Sequence, residues 1–436
     1  MMIVVGGSAC GTGGADPGQP AQVEMSALSG NGLDPSFGNG GVVLTQFGNN
    51  VNNFGFADAA LQSNGDILVL GTVTFIGGAT QSAVLVRYLP NGALDPAFGT
   101  AGQVTVTLGT FETAPLTMSI QGDGKILAVV AVANTNGPGP VYLLRFTASG
   151  QPDSTFGSGG RVVVTFPAPP SFSASPKLVL AQPDGKILLA GSATPPRHNT
   201  SPPQTVLARY LTNGALDTTF GSGGFASAVA VGTPLAVALL SDGGEFVINN
   251  QAAVAQFSGA GTLLSAPTGA SVVASKPSGS GLGPVAFLSN GQFLIASIVP
   301  VTRHFNNLGV TRYTPFGAVD PSFQSPAFSF GAALTQSTPS AVAIDALGRV
   351  VVGGGYSPDT VGTTLFGVAR LTPSGSLDTS FGSGGVLTTS VALGGEAWST
   401  LVQPDGRIIS AGVVAIAKDT SVTETDLAVL RYLSGN

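Results

Sequence analysis

The sequence predicts an all-β fold made of one unit written seven times, and three observations carry that prediction. A first hairpin signature, QSNGD at Gln62 to Asp66, returns as QGDGK, QPDGK, LSDGG, LSNGQ, DALGR and QPDGR. Its glycine recurs at Gly65, Gly124, Gly185, Gly243, Gly291, Gly348 and Gly406. A second signature, RYLPNGALDPAFG at Arg87 to Gly99, recurs as RFTASGQPDSTFG, RYLTNGALDTTFG, RYTPFGAVDPSF and RLTPSGSLDTSFG, with a weaker copy, QFSGAGTLL, at Gln256 to Leu264. The remaining copy is divided: RYLSGN closes the chain at Asn436, while LSGNGLDPSFG begins at Leu28. About four short strands in a unit of about 60 residues match a propeller blade. The expected architecture is a seven-bladed β-propeller with four-stranded blades, its ring closed by N- and C-terminal strands that share one blade. Counting that shared blade as the first unit, the Gln62 copy is the second and the Gly406 hairpin belongs to the first.

Each element has a mechanical reason. In Pro183-Asp184-Gly185 or Pro90-Asn91-Gly92 a three-residue hairpin loop opens with a type I turn and then needs a left-handed residue, which glycine supplies without a Cβ penalty. The flanking runs, such as Ile67-Leu68-Val69-Leu70, Val84 to Tyr88 and Lys186 to Leu189, are short and aliphatic or β-branched, as strands are. No run has convincing helical periodicity.

Composition narrows the function classes. The chain has 436 residues with 63 Gly and 30 Pro, and only 9% of its residues are charged, against about 25% in ordinary domains. A net charge of -6 without a basic patch argues against nucleic acid, whose phosphates call for clustered Lys and Arg. Glycine and proline interrupt every apolar run before it reaches the roughly 18 residues that span a bilayer.

Residues 1–27 carry no repeat signal and read as a leader, with the propeller occupying 28–436. Gly6-Gly7-Ser8-Ala9-Cys10 followed by GTGGADPGQP is similar to the end of a bacterial lipoprotein signal and its tether, which makes Cys10 a lipidation candidate. The positive n-region of such signals is missing and the stretch Met1 to Val5 is short, so a disordered leader with an inert cysteine is the competing reading. A lone cysteine forms no internal disulfide.

The units QPDGKILLAG (Gln182 to Gly191), VLARYLTNGALDTTFGSGG (Val206 to Gly224) and FGVARLTPSGSLDTSFGSGGVLTT (Phe366 to Thr389) resemble the delta-60 repeat, a bacterial β-propeller repeat of exported and surface proteins. The resemblance covers nearly all of 28–436. It implies the fold and an extracellular or cell-envelope location, and it implies no chemistry.

An arginine and an aspartate recur eight positions apart: Arg87 and Asp95, Arg145 and Asp153, Arg209 and Asp217, Arg312 and Asp320, Arg370 and Asp378, and, across the chain ends, Arg431 and Asp34. Centred on the hairpin loop, the two face each other on neighbouring strands and can form an ion pair. In the fifth unit Gln256 and Leu264 replace both, and this joint loss favours a structural bridge over two separately useful groups. Phe37, Phe98, Phe156, Phe220, Phe323 and Phe381, each three residues after the aspartate, read as wedges between sheets rather than stacking platforms.

No catalytic residue is nominated. Two histidines and one cysteine leave no metal cluster, Cys-His dyad or Ser-His-Asp set, so neither a metal nor a cofactor is expected. The hairpin aspartates Asp123, Asp184 and Asp405 are explained by their turns. One asymmetry marks a candidate binding site. Both histidines stand in long loops between second and third strands, as Arg197-His198 and Arg303-His304, flanking the shortened loop of the fifth unit at Asn249 to Gln251. There they can rim a notch that attracts an anion or an acidic partner. The expected function is that of an exported or cell-surface module, monomeric and non-enzymatic, that binds or scaffolds a protein or a glycan, with membrane contact only through a lipid anchor. The alternative is a lyase or hydrolase using the central channel. The innermost strands, such as Val179-Leu180-Ala181 and Thr400-Leu401-Val402, are mostly apolar and supply no acid, base or nucleophile set for it.

Overall fold

A computed structural model describes residues 32–47, 51–75, 81–106, 108, 112–134, 137–167, 172–196, 198–229, 232–240, 242–249, 254–265, 282–302, 305–331, 335–358, 364–417 and 423–435. Among them every regular element is a β-strand and none is a helix. The seven hairpin glycines, Gly65 through Gly406, take φ between 76° and 90°, a region in which a Cβ would be strained. In the Gln62 copy the turn closes through Gly65 N–H to Gln62 O at 2.9 Å.

The strands pair with their sequence neighbours. Val51–Leu61, Ile67–Phe75, Gln81–Tyr88 and Gln103–Val106 form one antiparallel series. The same four-strand order holds from Glu112–Ile120 to Arg161–Val163, from Ser173–Ala181 to Phe225–Val229, from Pro234–Leu239 to Leu263–Ser265, and from Gln336–Ile344 to Val386–Thr389. Single parallel bridges, Asn53 to Thr425 and Asn306 to Gln336, link neighbouring series.

Two units differ from the expected four strands and even split. Among the described residues the sixth has three strands, Leu282–Phe287, Phe293–Pro300 and Asn306–Tyr313, and its outer edge is the bridge Leu308 to Phe328. Its sequence after Phe323 lacks the Gly-Gly turn of the other copies and carries Pro326, which has no N–H to give a ladder. The unit shared by the chain ends takes Gly395–Val402, Ile408–Ala417 and Thr423–Tyr432 from the C-terminal side. Among the described residues Val42–Thr45, with Val43 opposite Val429, is the strand that comes from the N-terminal side. The ends meet there: Leu433 N–H donates to Gly32 O, and Asp34 N–H to Arg431 O, each at 2.8 Å.

The core lies between the sheets. Phe98, Leu85 and Leu68 of one unit pack on Ile126 and Ala128 of the next. Phe156 packs with Ile187 and Tyr210, and Phe366 and Phe381 with Leu430 and Tyr432, in the same way. Burying a large aliphatic or aromatic side chain contributes about 1.5–3 kcal/mol, so these seams carry the stability while each sheet alone has too little to bury. Every first strand also breaks register by one residue, at Phe56/Asp58, Pro115/Thr117, Pro176/Leu178, Pro234/Ala236, Leu282/Val285, Pro339/Ala341 and Ala397/Ser399. A bulge disrupts the ladder locally, which suits the proline that stands just before it at four of these places.

Candidate functional site

The repeated charges sit at the seams. In the six pairs, Arg87–Asp95, Arg145–Asp153, Arg209–Asp217, Arg312–Asp320, Arg370–Asp378 and Arg431–Asp34, the arginine Nε donates to Oδ2 across 2.8 to 2.9 Å. The aspartate Oδ1 accepts the backbone N–H two residues on, at 2.9 to 3.2 Å, an Asx turn that fixes the carboxylate. Each guanidinium carbon lies 4.4 to 4.9 Å from the centroid of a phenylalanine ring, Phe98, Phe156, Phe220, Phe323, Phe381 or Phe37 in turn. These rings are buried and wedge the sheets apart.

A third contact crosses to the next unit. Nη1 of Arg87 donates to Ala148 O, of Arg145 to Thr212 O, of Arg209 to Gly259 O, of Arg312 to Pro373 O, of Arg370 to Ser434 O and of Arg431 to Pro90 O. In the fifth unit, which has neither charge, Gln256 Nε2 donates to Pro315 O at 3.1 Å. The glutamine drops the ion pair and keeps the cross-unit bond.

These partners lower the pKa of five of the carboxylates, Asp34, Asp153, Asp217, Asp320 and Asp378. For Asp217 burial works upward, but hydrogen bonds from Thr219, Lys186 and Arg209 outweigh it and hold the group well below the usual range. The Ser322 hydroxyl and backbone, with Arg312, hold Asp320 at about 2. Asp34, Asp153 and Asp378 are lowered against the same opposing burial, chiefly by the serine or threonine two residues on.

The fifth unit also holds a charge the sequence reading passed over. Glu245 opens the strand Glu245–Asn249 where five of the other copies have Ile67, Ile126, Ile187, Val350 and Ile408. It is fully buried, and burial pushes it up to about 7, with Arg209 and the Gln182 amide drawing it partly back. On the first strands Asp58 is raised by burial although Met118 N–H, Thr117 Oγ1 and Ala59 N–H all donate to it, and so it ties one first strand to the next. Glu396 is half-buried and also raised by burial, and Trp398, two residues on, is 49% exposed. Comparison of the copies with one another was the signal for Glu245 and Trp398, since each breaks the repeat.

Of the candidate loop residues, His198 alone lies among the described residues. It is exposed in a turn closed by Asn199 N–H to Pro196 O at 2.8 Å. Arg197, Arg303 and His304 lie outside the described residues, as do Cys10 and the whole leader. The described residues include no group of three or more His, Cys, Asp or Glu placed to hold a metal. Clefts of about 580 and 460 Å³ open between successive first hairpins, beside Arg145 and beside Arg431. Being copies of one crevice, they belong to the repeat.

Four stretches, residues 62–98, 121–156, 182–220 and 348–381, match a family model described as "Domain of unknown function (DUF5122) beta-propeller". They span well under half of the chain, and with the serial antiparallel sheets they support a β-propeller repeat. No curated protein matches the sequence. Among solved structures the chain is similar to an unknown function protein from Dyadobacter fermentans DSM 18053, at 12% identity over 93% of this chain and 99% of that one, TM-score 0.41. It is also similar to YCF48 bound to D1 peptide, at 12% identity over 96% and 97%, TM-score 0.41. The Hadza microbial sialidase Hz136 is similar at 8% identity over 87% and 65%, TM-score 0.39. At these values the likenesses assign no activity.

Proposed function

We propose that the chain is a closed, seven-bladed propeller of delta-60-like repeats that acts, exported or at the cell surface, as a non-enzymatic module binding or scaffolding a protein or a glycan. The observation that carries this reading is the succession of cross-unit donors. Arg431 reaches the turn of the second unit, Arg87 that of the third, and so on through Arg145, Arg209, Gln256 and Arg312 to Arg370, which returns to Ser434 of the first. Such a chain of bonds suits a ring without free sheet edges. It also commits the repeated charges to the seams, leaving a rigid body whose loops are free to vary and to bind. The delta-60 assignment rests on the two turn signatures and their fixed order.

The module is a monomer that takes no nucleic acid and no cofactor, and Cys10 is its lipid anchor. A glycan array and a pull-down with the folded chain test the binding role. Saturable capture of a glycan or a single protein supports it, and a clean blank in both contradicts it. Mass spectrometry of the exported N-terminus tests Cys10. A second reading, a lyase or hydrolase at the central channel, would draw on Glu396 of the first strand Gly395–Val402, whose carboxyl burial raises. Turnover of a polysaccharide that Glu396→Gln abolishes would establish that reading in place of the first.

A further inference from the structure

The third unit departs from its copies at the first residue of its outer strand. After the Phe-Gly-x-x-Gly turn it has Arg161, where the other copies of that turn are followed by Val42, Gln103, Phe225 and Val386. Each of these pairs with the residue just before the repeated arginine: Arg161 with Leu144, Val42 with Leu430, Gln103 with Val86, Phe225 with Ala208 and Val386 with Ala369. Residues directly opposite in a ladder share a face of the sheet, and Leu144 packs with Leu85, Phe98 and Val106 of the second unit. The Arg161 side chain is therefore turned toward the second unit. At the same place Val42, Phe225 and Val386 join the apolar seam with the preceding unit, and Gln103 is polar but uncharged. Arg161 alone of the five brings a charge.

A cleft of about 800 Å³ opens at this seam, with Val104, Val106 and Leu144 along its floor, Thr100 and Ser158 on its exposed rim, and Arg161 on its wall. It lies between the outer strands Gln103–Val106 and Arg161–Val163, apart from the crevices between first hairpins. No Asp or Glu lines it. Among the described residues the Arg161 side chain enters no hydrogen bond and no ion pair, whereas every other described arginine is held by an aspartate. In a chain of net charge -6 such a guanidinium is not left over for want of acids.

We infer that this cleft is a subsite for a uronic acid residue of a saccharide. The Arg161 guanidinium takes the carboxylate through its planar fork of donors, Val104, Val106 and Leu144 meet the C–H face of the ring, and Thr100 and Ser158 meet its hydroxyl groups. One cation matches the single charge of a carboxylate. A phosphate, with more than one charge, calls for more than one cation, and an alkyl acid makes no use of the polar rim. A neutral sugar makes no use of the charge. The inference deepens the glycan-binding reading above and rests on it.

The full chain is titrated by calorimetry with trigalacturonate and trimannuronate, with the matching neutral sugars galactotriose and mannotriose, and with octanoate and inorganic phosphate as contrasts. The expected result is saturable binding of a uronate trisaccharide, weakened about ten-fold or more when its neutral counterpart is used or when Arg161→Val removes the cation. Valine is the residue of two other copies, so Arg161→Val keeps or raises the urea midpoint, which separates lost binding from lost fold. Arg161→Lys, which keeps the charge without the fork, binds with intermediate affinity. Absence of uronate binding, equal binding of the neutral sugar, tighter binding of octanoate or phosphate, or uronate binding that survives Arg161→Val overturns the inference. Capture of neutral glycans alone on the array overturns the subsite and leaves the binding role standing, whereas a blank array together with a blank pull-down removes the binding role itself.

Discussion

The amide of Gln256 donates to Pro315 O across 3.1 Å, making with a neutral side chain the cross-unit bond that Arg145 makes to Thr212 O. The comparison separates two functions of the repeated arginine, neutralising the aspartate of its own hairpin and tying down the turn of the next unit. Only the second persists in all seven units.

This separation predicts unequal costs. Gln256→Ala removes one neutral hydrogen bond and should lower unfolding stability by about 0.5–1.5 kcal/mol. Arg145→Ala strips the buried Asp153 carboxylate of its partner and should cost about 3–5 kcal/mol. Urea unfolding of both variants beside the parent checks the ranking, and equal losses would contradict it.

Glu245 predicts a dependence on pH. Its folded pKa, about 7, lies above its ordinary value of 4.5, so the fold binds its proton more tightly than the unfolded chain does. The stability linked to that proton is fully present below about pH 4.5 and is lost as pH rises toward and through 7. The groups facing it are Arg209, Gln182 and Asp242. Glu245→Ile, which restores the aliphatic residue of the other copies, should therefore stabilise the protein at pH 8 by about 2 kcal/mol and much less at pH 4.5. Thermal unfolding at the two pH values tests this, and a gain of the same size at both would refute it.

The lowered aspartates act in the opposite sense. Their folded pKa values lie below the ordinary carboxylate range, so the stability they bring is present above about pH 4 and disappears as pH falls through the folded values. For Asp320 that value is about 2. Stability should fall between pH 4 and pH 2, and Asp320→Asn should flatten part of that slope, as read from urea midpoints across the range.

What could be read from the chain alone follows from how local the physics is. Hairpins at Gly65 through Gly406 were legible because a left-handed position selects glycine whatever surrounds it. The spacing of Arg87 and Asp95 was legible because a short loop sets who faces whom. The third contact, from Arg87 to Ala148 O, was not, because it joins residues 61 apart whose meeting depends on how whole sheets stack. The three-stranded sixth unit hinged on Pro326 and a missing Gly-Gly turn, which the repeat count masked. Trp398 and Glu396 were passed over because they lie in the least conspicuous part of the unit, a strand whose bulge no turn residue announces. The Arg-His loops were conspicuous in sequence, yet of their four residues only His198 is described, and it is exposed in a proline-rich turn.

The central claim is that the two chain ends zip into one sheet, with Leu433 N–H 2.8 Å from Gly32 O. The direct measurement is cooperative unfolding of circular permutants that omit residues 1–31, join Gly435 to Gly32 and reopen the chain between Ser265 and Leu282. One permutant has a linker of about 4 residues and the other a linker of about 25, spans that differ severalfold in reach. Closure predicts that both fold to a soluble monomer with the same transition midpoint. A permutant that folds only with the long linker would place the ends apart and contradict the ring.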